Sequence, residues 1–237
     1  MSNGFEFFND NNSVVLSTDV TPVCLHQKIN HTLTPSLSSA IPLHVDDGFL
    51  SVFYVDNQPS NFYDYGIFSP AGTDGRYYIL PDRLGAGQTI AVEEYKFKLG
   101  LSKPATTGLQ LFDSNGNETY NSNNQLINIL GRYSIKISDC WLKNSNGQFT
   151  GQYTNKFVSD SWSGKKIGIL FTNMPTGIIK FSHQVGVYAY DVRVSMQNGI
   201  LTLMYWVGVW LQSFSSAHIP VDESVRLEFF IVDLTGL

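Results

Sequence analysis

Gly186-Val187-Tyr188-Ala189-Tyr190-Asp191-Val192-Arg193-Val194-Ser195-Met196 runs into Gln197-Asn198-Gly199, and Ile200-Leu201-Thr202-Leu203-Met204-Tyr205-Trp206-Val207-Gly208-Val209-Trp210-Leu211 follows. In the first run Tyr188, Tyr190, Val192, Val194 and Met196 fall on one side of an extended chain, and Ala189, Asp191, Arg193 and Ser195 on the other. A period of two is the signature of a strand. Asn198-Gly199 supplies the positive φ that both central positions of a type I′ turn demand, so the second run reads as the returning strand of a hairpin. Its 12 residues fall short of a membrane-spanning helix, which needs about 20.

The same pattern recurs at 49–56, at 89–99, where Tyr95, Phe97 and Leu99 share a face, and at 224–234. Asp46-Asp47-Gly48, Thr73-Asp74-Gly75, Ser114-Asn115-Gly116 and Ser145-Asn146-Gly147 stand between such runs, and their side chains favour turns. Nowhere do apolar residues keep helical spacing over three turns. An all-β fold is expected, with antiparallel strands in sandwiches or partly open barrels.

Among the 237 residues 43% are hydrophobic, 14% aromatic and 15% charged. Such a chain has the apolar area to fold and lacks the charge density of disorder. A net charge of −5, with 15 Lys and Arg dispersed along the chain, provides no footprint for a phosphate backbone, and nucleic acid is not expected as a partner. The first residues have neither a basic region nor an apolar stretch, so no secretory leader is expected, and with no apolar run long enough to span a bilayer no membrane insertion is expected.

Comparing the chain with itself reveals a repeat. Gly4-Phe5-Glu6-Phe7-Phe8-Asn9-Asp10-Asn11-Asn12 aligns without gaps to Gly108-Leu109-Gln110-Leu111-Phe112-Asp113-Ser114-Asn115-Gly116. Val14-Val15-Leu16-Ser17 and Glu118-Thr119-Tyr120-Asn121 follow, so each copy reads as a hairpin opening a domain. Lys103-Pro104-Ala105-Thr106-Thr107 has the composition of a linker. The expected organisation is two tandem β-sandwich-like domains, 1–104 and 105–237, related by duplication.

Motifs of chemistry are scarce. No GxSxG elbow, HExxH, P-loop, GxGxxG or EF-hand loop is present. Cys24 and Cys140 have no metal-ligand spacing and are expected to be buried thiols. His26 and His31 flank Lys28, a poor arrangement for a cation, and His44, His183 and His218 are dispersed. Asp46-Asp47 and Glu93-Glu94 are neighbours, whereas a glycosidase pair must face itself across a cleft. Glu94, Lys96 and Lys98 share one side of a strand and are expected to form a solvated face. No catalytic residue, metal or cofactor is expected, and the chain does not read as an enzyme.

Aromatic surface is what remains. In Ile200 to Leu211 both alternating sets are hydrophobic, so one side needs a second sheet, a neighbouring domain or another subunit. Tyr188, Tyr190, Trp206 and Trp210 are the candidate subunit-interface or glycan-contact residues.

A strand of the form Gly-apolar-polar-apolar-aromatic, an Asn-rich turn and a short second strand, carried by Gly4 to Ser17 and Gly108 to Asn121, resembles small tail-associated structural proteins of tailed bacteriophages. The resemblance covers about 30 residues and carries over no receptor-binding residue. It implies a virion protein of the tail tip or tail fibre, bound to other tail proteins and contributing to host attachment. A homo-oligomer, trimeric by analogy with tail fibres, goes with it. The alternative is a carbohydrate-binding or receptor-binding module recognising glycans on the host surface.

Overall fold

The computed structural model describes backbone and side chains for residues 21–34, 41, 47–55, 87, 89–104, 107–136, 162, 164–172 and 226–237. It describes backbone alone for 6–8, 14–17, 42, 66–68, 78–80, 141–143, 149–153, 156–158, 173, 177–180, 187–197 and 200–211. Every regular element among these residues is a strand. The first half carries β1 (Glu6–Phe8), β2 (Val14–Ser17), β3 (Val23–Leu33), β4 (Ile41–Pro42), β5 (Leu50–Val55), β6 (Gly66–Phe68), β7 (Tyr78–Leu80) and β8 (Ile90–Leu99). The second carries β9 (Gln110–Phe112), β10 (Glu118–Asn121), β11 (Asn128–Lys136), β12 (Trp141–Lys143), β13 (Phe149–Tyr153), β14 (Lys156–Val158), β15 (Ile167–Asn173), β16 (Gly177–Lys180), β17 (Val187–Gln197), β18 (Ile200–Leu211) and β19 (Arg226–Asp233).

Among the described residues the fold is all-β and every strand pairing is antiparallel. One six-stranded sheet has the order β11-β19-β15-β5-β8-β3. A second, seven-stranded sheet runs β14-β18-β17-β6-β7-β4, with β16 also paired to β17. The expected boundary at residue 104 divides each sheet into strands from either half, and in both sheets the two sets are joined by hydrogen bonds at the centre. In the six-stranded sheet that junction is Phe53↔Ile169.

The two hairpins anticipated from the repeat are both formed. In β1–β2, Glu6 pairs with Ser17, Phe7 with Leu16 and Phe8 with Val14. In β9–β10, Gln110 pairs with Asn121, Leu111 with Tyr120 and Phe112 with Glu118. Shifting the first ladder by 104 residues gives every pair of the second, including the one-residue slip in register. In the second turn Asp113 Oδ1 accepts the amides of Asn115 and Asn117, each at 2.8 Å, and Gly116 takes φ 79°. The Asp side chain does there what a turn needs, and glycine absorbs the left-handed position.

Alternation within the strands sorts the core onto two faces. On one, Val52, Tyr95, Phe97, Leu170, Val232 and Leu234 form a buried cluster, with Val23, Leu25, Tyr54, Ile127, Phe230 and Leu237 packed against it. On the other lie Leu33, Phe53, Ile90, Val92, Ile169, Phe171, Phe229 and Ile231, all buried. There Tyr133 stacks on Phe229 at 5.3 Å between ring centroids, and Trp162 meets Tyr133 edge-on at 6.5 Å.

The outermost strands of the six-stranded sheet do not both end in open edges. Cys24 of β3 forms an isolated antiparallel bridge with Leu126, just ahead of β11, through Leu25 N–H to Gln125 O at 2.8 Å and Ile127 N–H to Val23 O at 3.0 Å. At this end the sheet curls round and meets itself, which satisfies backbone groups that an edge would leave open. Cys24 is buried there, and burial pushes its thiol above its ordinary pKa. Cys140 lies outside the described residues.

Candidate functional site

The aromatic candidates stand on the β17–β18 hairpin, whose backbone forms as expected. Gln197 pairs with Ile200, leaving Asn198-Gly199 between them, and the ladder continues to Val187↔Leu211. Tyr188 is opposite Trp210, but a slip after Ala189 sets Tyr190 opposite Val207 and Asp191 opposite Trp206. The four candidates therefore do not make two aromatic cross-strand pairs. The side chains of Tyr188, Tyr190, Trp206 and Trp210 lie outside the described residues.

The expectation of a solvated face at Glu94, Lys96 and Lys98 is corrected by the packing. Glu94 is only 5% exposed, although Lys98 is exposed. Its carboxylate accepts from Ser51 Oγ at 2.6 Å and pairs with His31 Nε2 at 2.9 Å, linking β5, β8 and β3. Lys96 lies 3.9 Å from Glu94 and donates to Asp47 Oδ2 at 2.7 Å. That bond to Asp47 holds the Lys96 ammonium above its ordinary pKa, and Lys96 in turn holds Asp47 below the usual carboxylate range. The side of β8 that reads as solvent is covered because β3 and β5 flank it with partners.

A second polar cluster, missed in the sequence, borders the Val52–Tyr95 core. Lys28, Lys166 and the Tyr95 hydroxyl converge on the Glu93 carboxylate, Lys28 at 3.1 Å and Tyr95 at 2.5 Å. Lys166 also lies 4.4 Å from the centre of the Tyr54 ring, and Lys28 lies 5.0 Å from that of Tyr95. Burial works to raise the Glu93 pKa, but hydrogen bonds from Lys166, Tyr95 and Lys28 outweigh it and bring the group down to about 2. Lys28 and Lys166 are raised, Lys28 chiefly by Tyr95, and Lys166 by Glu93 and Tyr95 against the opposing effect of burial. These groups are held as fixed charges, far from the poise of a neutral-pH acid or base. The available signal was Glu93 itself, a charge on the same side of β8 as Tyr95 and Phe97.

The linker is held by side chains. Asn124 Oδ1 accepts from Ser102 N at 2.7 Å, Ser102 Oγ at 2.8 Å and Lys103 N at 3.1 Å. Asn121 and Asn124 both donate to Lys103 O at 3.0 Å. Beyond this clamp the β9–β10 hairpin presents Leu109, 48% exposed, and Phe112, 47% exposed.

Among the described residues no group of three or more His, Cys, Asp or Glu could hold a metal ion, and no helix is long and apolar enough to cross a membrane. No protein-family model, curated protein or solved structure matches the chain.

Proposed function

We propose that the protein is a structural component of a bacteriophage tail, in the tail tip or tail fibre assembly, contributing to host attachment. The observation that carries this reading is the hairpin that opens each half, with the same ladder at a spacing of 104 residues. This is the element through which the sequence resembles tail-associated proteins. In its second copy it offers exposed Leu109 and Phe112 for burial against a neighbour.

The fold reading that goes with it is two tandem β-sandwich-like units, 1–104 and 105–237, with sheets continuous across the boundary. The partners are other tail proteins and further copies of the chain, a trimer by analogy with tail fibres, and a glycan or protein of the host surface. The protein acts by adhesion, without catalysis, cofactor, nucleic acid or membrane insertion, and resides in the virion.

Immunogold electron microscopy of parent phage particles, with antibody raised against the recombinant protein, tests the proposal. Label at the distal tail is expected. Label on the head, or none on particles, overturns it. The glycan-binding reading draws on the register that sets Tyr188 opposite Trp210, two rings of the type that stack on sugars. Binding on a glycan array by a protein absent from particles would put that reading first.

A further inference from the structure

Any antiparallel junction has a local two-fold axis. At Phe53↔Ile169 the strands on the two sides also follow one order, β5, β8, β3 in one direction and β15, β19, β11 in the other. In each trio the strand at the junction is second in the chain, the next is third and the outer one is first. The other sheet has the same property about Val192↔Ile67, with β6, β7, β4 on one side and β17, β18, β14 on the other. At the far side of the six-stranded sheet the outer strand β3 meets the segment leading into the other outer strand, β11, at Cys24↔Leu126.

We propose that residues 1–104 and 105–237 bind each other as two subunits of a symmetric dimer do, so that each half is the other's obligate partner and the linker only joins them. The core supports the same division. Val52, Tyr95 and Phe97 come from one half and Leu170, Val232 and Leu234 from the other, and they form a single buried cluster. Separated, each half would expose its share of that cluster together with the edge of β5 or β15. Gly168 marks how closely the halves approach, since a Cβ there would lie 2.5 Å from Val52 Cγ1. The Lys166–Glu93 ion pair crosses the same contact. A self-complementary surface of this kind is isologous, and a second copy of the same unit fits it by construction.

The test uses the full chain with a site-specific protease sequence inserted between Ala105 and Thr106 and cut after folding. Exposed Lys103, Pro104, Thr107 and Gly108 bracket the insertion. The two fragments are expected to elute together at the mass of the intact protein, to unfold in one transition, and to separate only in denaturant. Fragments that part in native buffer, or that unfold in two independent transitions, overturn the proposal. Native-state hydrogen exchange on the unaltered protein decides the matter if the insertion prevents folding. Amides along the β5–β15 junction are expected to open with the same free energy as those between β15 and β19. A lower free energy confined to the junction means that the halves open as separate bodies, and it overturns the proposal as well.

Discussion

Asn124 donates its side-chain amide to the carboxamide oxygen of Asn121 at 2.6 Å, and both side chains are buried. Together they bind the backbone of Ser102 and Lys103, where the first half of the chain gives way to the second.

Asn124→Ala removes the acceptor of three hydrogen bonds, and urea unfolding is expected to report a loss of about 1–3 kcal/mol. Asn124→Asp keeps that acceptor but sets a carboxylate against the Lys103 and Asn121 oxygens that now receive the amide. It is expected to lose at least as much at neutral pH. A stability equal to wild type in both variants would mean that the clamp adds nothing.

Acid stability depends on Glu93, which titrates at about 2 in the folded chain against 4.5 for the free side chain. A carboxylate depressed by folding stabilises fully above its unfolded pKa and loses that contribution as the pH falls through its folded one. The loss therefore runs from about pH 4.5 down to about 2, and the contribution at neutral pH is on the order of 3 kcal/mol. Melting temperatures of Glu93→Gln measured from pH 7 to about 2 should fall less steeply than wild type in that window. Asp47, lowered by Lys96, and Asp233, lowered by Thr235 and Lys165 against the opposing effect of burial, leave a residual slope of the same sign. Parallel curves for the two proteins would rule out this role for Glu93.

Gly168→Ala would place a Cβ 2.5 Å from Val52 Cγ1 and 2.6 Å from Leu234 Cδ1. Overpacking of this kind costs about 1–3 kcal/mol. In a double-mutant cycle with Val52→Ala the two losses should be less than additive, because the smaller neighbour removes one of the two close contacts. Strict additivity would show that the two sites do not touch.

The glycines of the second hairpin differ in what they tolerate. Gly108 has φ 100° and a Cβ there would lie 2.1 Å from Ser122 Oγ, the acceptor for Leu109 N. Gly116 has φ 79° and open space around it. Gly108→Ala should therefore destabilise more than Gly116→Ala, whose cost is backbone strain of about 1–2 kcal/mol. Chemical denaturation of the two variants gives the order directly, and the reverse order contradicts this geometry.

Replacing Trp206 and Trp210 together by Ala addresses the candidate interface. Light scattering is expected to show a smaller assembly, with the thermal melt of the chain little changed. An unchanged mass with a lower melting temperature would assign these residues to the core instead. No change in either quantity would remove them from both roles.

Much of the local structure was legible because it depends on neighbours in the chain. Alternation at 89–99 and 224–234 marks strands observed at Ile90–Leu99 and Arg226–Asp233. The repeated hairpin was legible because strand, turn and strand lie within 14 residues, and its second turn is closed by its own Asp113. The fate of Glu93 and Glu94 was not. Adjacent residues of a strand face opposite ways, but their partners Lys166 and His31 lie 73 and 63 positions away. No local pattern announces a partner at that distance.

By itself the sequence determined that this chain makes antiparallel strands, roughly where those at 49–56, 89–99, 186–211 and 224–234 lie, and that one hairpin occurs twice. Side-chain period and turn chemistry are local properties, and they act before the chain has closed. Only the tertiary structure decided that β5 pairs with β15, that Cys24 meets Leu126 across the sheet, and that one core serves both halves. Backbone N–H and C=O groups are alike in every residue but proline, so hydrogen bonding alone does not choose between strand edges. The choice comes from burying Val52, Tyr95 and Phe97 against Leu170, Val232 and Leu234, a gain that exists only when the two halves are in contact.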